Sequence, residues 1–115
     1  MSTVLMIDKQ VNFLGYDCDI KLHEYTANKQ RAIELVIADT DLNHEKDKDL
    51  IAGEPMCMAT VCMSHYVFDK HETAIKNYSE NEGILDILID AGIIELADKF
   101  INSGFITVPV VRLTL

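Results

Sequence analysis

A chain of 115 residues, 49% apolar and 25% charged, has the composition of one globular domain that folds without metal or disulfide staples. Its formal net charge of −9 disfavours direct contact with nucleic-acid phosphates, which takes a Lys/Arg footprint, and favours a partner with a basic surface. The three cysteines are an odd number, the start "MSTVLMIDKQ" has no basic segment ahead of its short apolar run, and no apolar run approaches the ~20 residues of a membrane span, so a cytoplasmic protein is expected.

In chain order, "TVLMI" at 3–7 reads as an edge strand. From Asp17 onward Cys18, Ile20 and Leu22 alternate with Asp19, Lys21 and His23, the period of two that marks a half-buried strand. Ile33, Leu35 and Ile37 alternate in the same way with Ala32, Glu34 and Val36. Strands are therefore expected near 17–25 and 31–39, with Asn28 and Lys29 turning a hairpin between them. "DTDLNHEKDKDLIAGEP", Asp39 to Pro55, has no periodicity and reads as a loop with turn chemistry at its far end. "MCMATVCM", Met56 to Met63, is apolar at both parities and reads as a central strand covered on both sides. His65 to Glu72 reads as a loop and "TAIKNY" as a short strand.

"NYSENEGILDILIDAGII", Asn77 to Ile94, predicts the main helix at about 80–91. Ser79 and Glu82 fit a capping box, Ile84, Leu85, Leu88 and Ala91 form one apolar face, and Gly92 stands where a left-handed residue often ends a helix. Gly83 in the first turn weakens a helix, and a close approach by a neighbouring backbone or the Tyr78 ring is its expected compensation. After Gly104, "FITVPVVRLTL" is a strand in which Pro109 cannot donate, which puts it at an edge or a bulge. The order points to an α+β fold, an antiparallel sheet of four to five strands packed against one main helix in the C-terminal half.

The acid is concentrated. Residues 80–98 hold six acidic and no basic side chains, and Glu82, Asp86 and Asp90 recur every four residues as a stripe. Residues 41–55 hold five acids against two bases. Asp39, Asp41 and Asn43 occupy positions 1, 3 and 5 of a calcium loop, but His44 stands where Gly is needed and Leu50 where the bidentate Glu belongs, so an ordinary charged loop is expected. Cys62, His65 and His71 have soft-ligand spacing without a fourth donor, and Cys62, His65 and Asp69 lack any nucleophile elbow or oxyanion loop. If Cys57 and Cys62 share a strand they face opposite sides about 16 Å apart, beyond disulfide reach.

"YDCDIKLHEY", "RAIELVIAD", "GEPMCMATV", "IKNYSENEGILDILIDAGII" and "GFITVPVVRLTL" together resemble a family of short uncharacterised proteins, a domain of unknown function carried by phages, plasmids and integrative elements of gut and oral bacteria. The resemblance covers most of the chain from Tyr16 onward, and its most specific parts are Gly-Glu-Pro before "ATV" and "K-x-Y-S-E-N-E-G" before the helix. The loop Asp41 to Ala52 is longer than in that pattern, and "NKQR" replaces a Gly-containing turn. The resemblance implies a mobile-element accessory protein acting in a bacterial host, and it brings no catalytic residues and no cofactor. Small acidic proteins of such elements often bind host proteins, restriction or CRISPR nucleases among them.

The expectation is therefore a non-catalytic protein without a metal, binding a basic protein surface through Glu82, Asp86, Asp90, Asp39, Asp41, Asp47 and Asp49. The alternatives are a metal protein or enzyme using Cys62, His65 and His71, and a structural protein that self-associates through its N-terminal edge strand.

Overall fold

The computed structural model of the chain describes residues 4–25, 29–63, 66–69 and 71–114. Thr3 of the expected edge strand, Asn28 of the expected turn and His65 of the alternative ligand set lie outside them.

The alternating segments pair as their periodicity requires. β2 (Tyr16–Glu24) and β3 (Arg31–Ile37) are antiparallel, with Cys18 opposite Ile37, Ile20 opposite Leu35 and Leu22 opposite Ile33, so these apolar residues share one face. β1 (Leu5–Phe13) joins β2 through the two-residue turn Leu14–Gly15 and adds Ile7 and Val11 opposite Ile20 and Cys18. It runs well past the expected 3–7, because a bulge at Asp8 and Lys9 shifts the register and hides the second half from a search for period two. The opposite face of β1 and β2 is polar, with Gln10 Nε2 donating to Asp19 and Asn12 Nδ2 to Asp17.

The segment after β3 is not the structureless loop expected from Asp39 to Pro55. Thr40 caps a short helix, α1 (Asp41–Lys46), its Oγ1 accepting from the Asn43 amide. Asn43 is fully buried, and it donates to the Asp17 and Ala38 carbonyls while accepting from the Asp17 amide, which pins α1 to the start of β2.

β4 (Pro55–Met58) is the outer strand of a sheet ordered β1-β2-β3-β4, not the central strand expected over Met56 to Met63. Its residues are at most half-buried. The double-sided apolar pattern has another cause: the chain leaves the sheet after Met58 and is bonded on two sides. The Ala59 amide donates to Ile33 of β3, while Val61 donates to Ala74 and Ala59 accepts from Lys76. Thr60 and Ile75 form a bridge between the sheets.

The second sheet has the order β5-β7-β6, with β5 (Glu72–Ala74), β6 (Ile94–Ser103) and β7 (Ile106–Leu113). β6 has no counterpart in the sequence reading, since two inserted residues, Ala97 and Asp98, break its pairing with β7 and its alternation. β7 is the middle strand, so Pro109 is not at an edge. Its carbonyl accepts from Ile75 just beyond the end of β5, and because amide and carbonyl of one residue point the same way in a strand, the missing donor falls where that ladder stops.

α2 (Ile84–Asp90) meets one outer strand of each sheet, β1 and β6. Ile84 and Leu88 are fully buried in a core that includes Val11, Phe13, Cys18, Ile20, Ile33, Leu35, Ile75 and Val111, drawn from both sheets. Each such aliphatic side chain contributes about 1.5–3 kcal/mol of transfer free energy. The result is the expected α+β arrangement, distributed over two sheets.

Candidate functional site

The acidic stretch is organised by how α2 begins and ends. Ser79 adopts a left-handed backbone (φ 54°), which tightens Ser79–Asn81 into a 3₁₀ turn, so the capping box with Glu82 does not form. The cap comes from Asn77, whose Oδ1 accepts from the amides of Gly83 and Leu85 at 3.1 and 3.0 Å. Gly83 takes φ 95°, and a Cβ there would meet nothing within 4 Å, so its conformation explains the glycine rather than the expected close approach of Tyr78. Asn81 is buried, and its Nδ2 donates to the Met58 carbonyl at 2.6 Å, fastening the turn to β4.

At the other end Gly92 donates to Ile89 and Ile93 to Leu88, the Schellman arrangement, with φ 73° at Gly92. Lys9 Nζ, turned out of β1 by its bulge, donates to the Ala91 and Gly92 carbonyls at 3.1 and 3.3 Å and sets a cation at the negative helix end.

Asp86 and Asp90 are exposed on α2, and Glu82 is exposed in the turn before it, not within the helix. Among the described residues none of the three forms an ion pair. Their neighbours differ. Glu80 pairs with Lys76, which holds its carboxyl below the usual range and raises the amine, and Glu95 pairs with Arg112 at 2.8 Å.

The loop acids divide likewise. Asp39 is bound to His44 at 2.7 Å, and Asp47 accepts from the Asp49 amide at 2.9 Å, so both have local structural work. Asp41 and Asp49 are exposed, Asp41 at the start of α1, where its charge suits the helix dipole. α1 packs on β2 whereas α2 packs on β1 and β6, so the two acidic sets stand on elements that meet different strands.

Cys62 and His71 are both exposed, and among the described residues no three His, Cys, Asp or Glu side chains are grouped to hold a metal. Burial pushes the thiols of Cys18 and Cys57 up to about 11, which keeps them protonated and poorly nucleophilic at neutral pH. Among the described residues no helix is long and apolar enough to cross a membrane.

The sequence reading passes over one cleft, of about 480 Å³, with Lys29, Gln30 and Arg31 on one wall and Tyr66, Phe68 and His71 on the other. Those segments are far apart in the chain, and the pairing of β3 with the Ala59–Val61 link and of that link with β5, together with the Thr73 hydroxyl donating to the Arg31 carbonyl, brings them together. Compared with protein-family models, with curated proteins and with solved structures, the chain matches none.

Proposed function

We propose that the chain is a non-catalytic accessory protein of a mobile genetic element that binds a host protein through its acidic surface. The observation that supports this reading is the stripe within residues 80–98: Glu82, Asp86 and Asp90 are exposed, without an ion-pair partner among the described residues, and no Lys or Arg lies between them. Asp86 and Asp90, four apart on α2, repel by a few tenths of a kcal/mol, a cost that a basic partner surface relieves. The nucleic-acid channel of a restriction or CRISPR nuclease is the partner class whose charge fits, and the resemblance to mobile-element proteins points the same way.

Capture of partners from host lysate by the purified protein, washed at low and high salt, tests the reading. A basic nucleic-acid-handling protein lost at high salt supports it. Reversal of Glu82, Asp86 and Asp90 to Lys should then abolish binding, and unchanged affinity with the fold intact removes the stripe as the interface. Self-association is a second reading, favoured by the exposure of Leu5 and Met6 (57 and 51%) on the outer strand β1 and of Val4 (53%) just before it. A monomer at micromolar concentration in sedimentation would count against it.

A further inference from the structure

The cleft beside β3 has a preformed shape and unspent cations. Its two walls are tied by Gln30, which donates to the Met63 and Tyr66 carbonyls at 2.7 and 3.1 Å and accepts from the Met63 amide at 2.8 Å. Along one wall Tyr66 and Phe68 pack ring to ring, centroids 4.7 Å apart. At the base Glu72 is buried, one carboxylate oxygen accepting from the Asp69 amide and the other from Lys99 Nζ, each at 2.9 Å. Lys99 also reaches Asp69, and these two bonds, that to Glu72 first, raise its pKa.

The Asp69 and Glu72 carboxylates are thus occupied, while Arg31, Lys29 and His71 keep side-chain hydrogen-bonding groups unused among the described residues. Arg31 lies 3.7 Å from Glu24, beyond hydrogen-bond reach, so its guanidinium donors are unspent. Among the described residues the Lys29 amine and the His71 ring have no hydrogen-bond or ion-pair partner. Both residues take left-handed backbones, φ 60° and 72°, a conformation that non-glycine residues adopt at a cost and that clusters at ligand sites. In a chain of net charge −9, the lining carries Lys29 and Arg31 beside the acids Glu24, Asp69 and Glu72, and Lys99 binds the latter two.

From this geometry we infer that the cleft binds a small organic anion, a phosphate or carboxylate carried on a planar apolar body. The Arg31 fork, with Lys29 and His71 beside it, takes the oxyanion, and the Tyr66–Phe68 wall takes the planar part. The volume of about 480 Å³ suits a ligand of one or two rings. The inference is independent of the acidic-surface reading, since it uses other residues.

Amide spectra of the ¹⁵N-labelled protein titrated with phenyl phosphate, benzoate, inorganic phosphate and benzyl alcohol test it. Saturable shifts confined to residues 29–31 and 66–72, with phenyl phosphate or benzoate well ahead of the other two, are expected, and the stronger of the pair identifies the oxyanion. Arg31→Gln should weaken that binding at least about tenfold, the effect of losing a charge-assisted hydrogen bond. Lys29→Gln, at an exposed position, should weaken it with the rest of the spectrum unchanged and serves if the first variant misfolds. Absence of saturation, shifts elsewhere, inorganic phosphate binding as tightly as phenyl phosphate, or affinity unchanged in both variants would each overturn the inference.

Discussion

Replacing Gly92 with alanine tests how α2 is terminated and how it is tied to β1. The backbone there has φ 73°, which costs an L-residue about 1–2 kcal/mol. The new Cβ would also sit 3.2 Å from Lys9 Nζ, tighter than ordinary contact, so the amine must shift from the Ala91 and Gly92 carbonyls it now binds. Those bonds are exposed, and together with the favourable cation at the helix end they contribute about 0.5–1 kcal/mol. Gly92→Ala should therefore destabilise the protein by about 1.5–3 kcal/mol in urea unfolding, with the slope against denaturant unchanged. Lys9→Met alone should lose only the smaller part. In the double variant the two costs should sum to more than is observed, because without the amine nothing crowds the new methyl. A Gly92→Ala protein within about 0.5 kcal/mol of the parent, or strict additivity with Lys9→Met, would refute this account of the helix end.

Asn77→Ala removes the acceptor for two helix-end amides and should cost about 1–2 kcal/mol, whereas Ser79→Ala should stay within about 0.5 kcal/mol; the reverse order in urea unfolding would restore the Ser79–Glu82 cap. Leu88→Ala empties a fully buried position between α2 and both sheets and should cost about 2–5 kcal/mol, so a loss under about 1 kcal/mol would mean that α2 is only loosely seated. Burial raises the Cys18 thiol from 9.0 to about 11, so the unfolded chain gives up this proton first as pH climbs. The corresponding stability is present below pH 9, falls between about 9 and 11, and by linkage amounts to at most about 3 kcal/mol. Cys18→Ala should flatten that alkaline limb, and an identical limb in urea unfolding at stepped pH would exclude Cys18 as its source. A disulfide-exchange thiol reagent at neutral pH should modify exposed Cys62 well ahead of Cys18, which should react only through unfolding, and comparable initial rates at both would contradict the burial.

The parts of the fold legible in the sequence were those whose periodicity ran uninterrupted. β2 and β3 carry an unbroken alternation, and their cross-strand pairs follow from it. β6 and the second half of β1 were hidden for a common reason: the bulge in each leaves a charged residue, Lys9 or Asp98, at the parity of its apolar neighbours, Ile7 and Val11 or Leu96 and Phe100, and so interrupts the alternation. Met56 to Met63 misled in another way, since a segment bonded to β3 on one side and β5 on the other is apolar at both parities without being the centre of one sheet. The inner face of α2 and its glycine stop were readable, but the cap was not, because Asn77 acts across a turn that the sequence does not announce. The exposure of Asp86 and Asp90 follows from helical spacing alone. The cleft does not, because Arg31 and Tyr66 converge only after both sheets have formed.

The long chain separation between α2 and β1 bears on how the protein emerges from a ribosome. β1, β2 and β3 leave the exit tunnel first and can pair through local turns, but their inner face of Cys18, Ile20, Ile33 and Leu35 then has no cover. Ile84 and Leu88 arrive only after β4, β5 and the Thr60 bridge have been synthesised. The nascent sheet therefore passes through a period of apolar exposure and unpaired edges, the condition in which trigger-type chaperones engage and aggregation competes with folding. The bulge at Asp8–Lys9 in the outer strand β1 shortens the flat edge on offer during that interval.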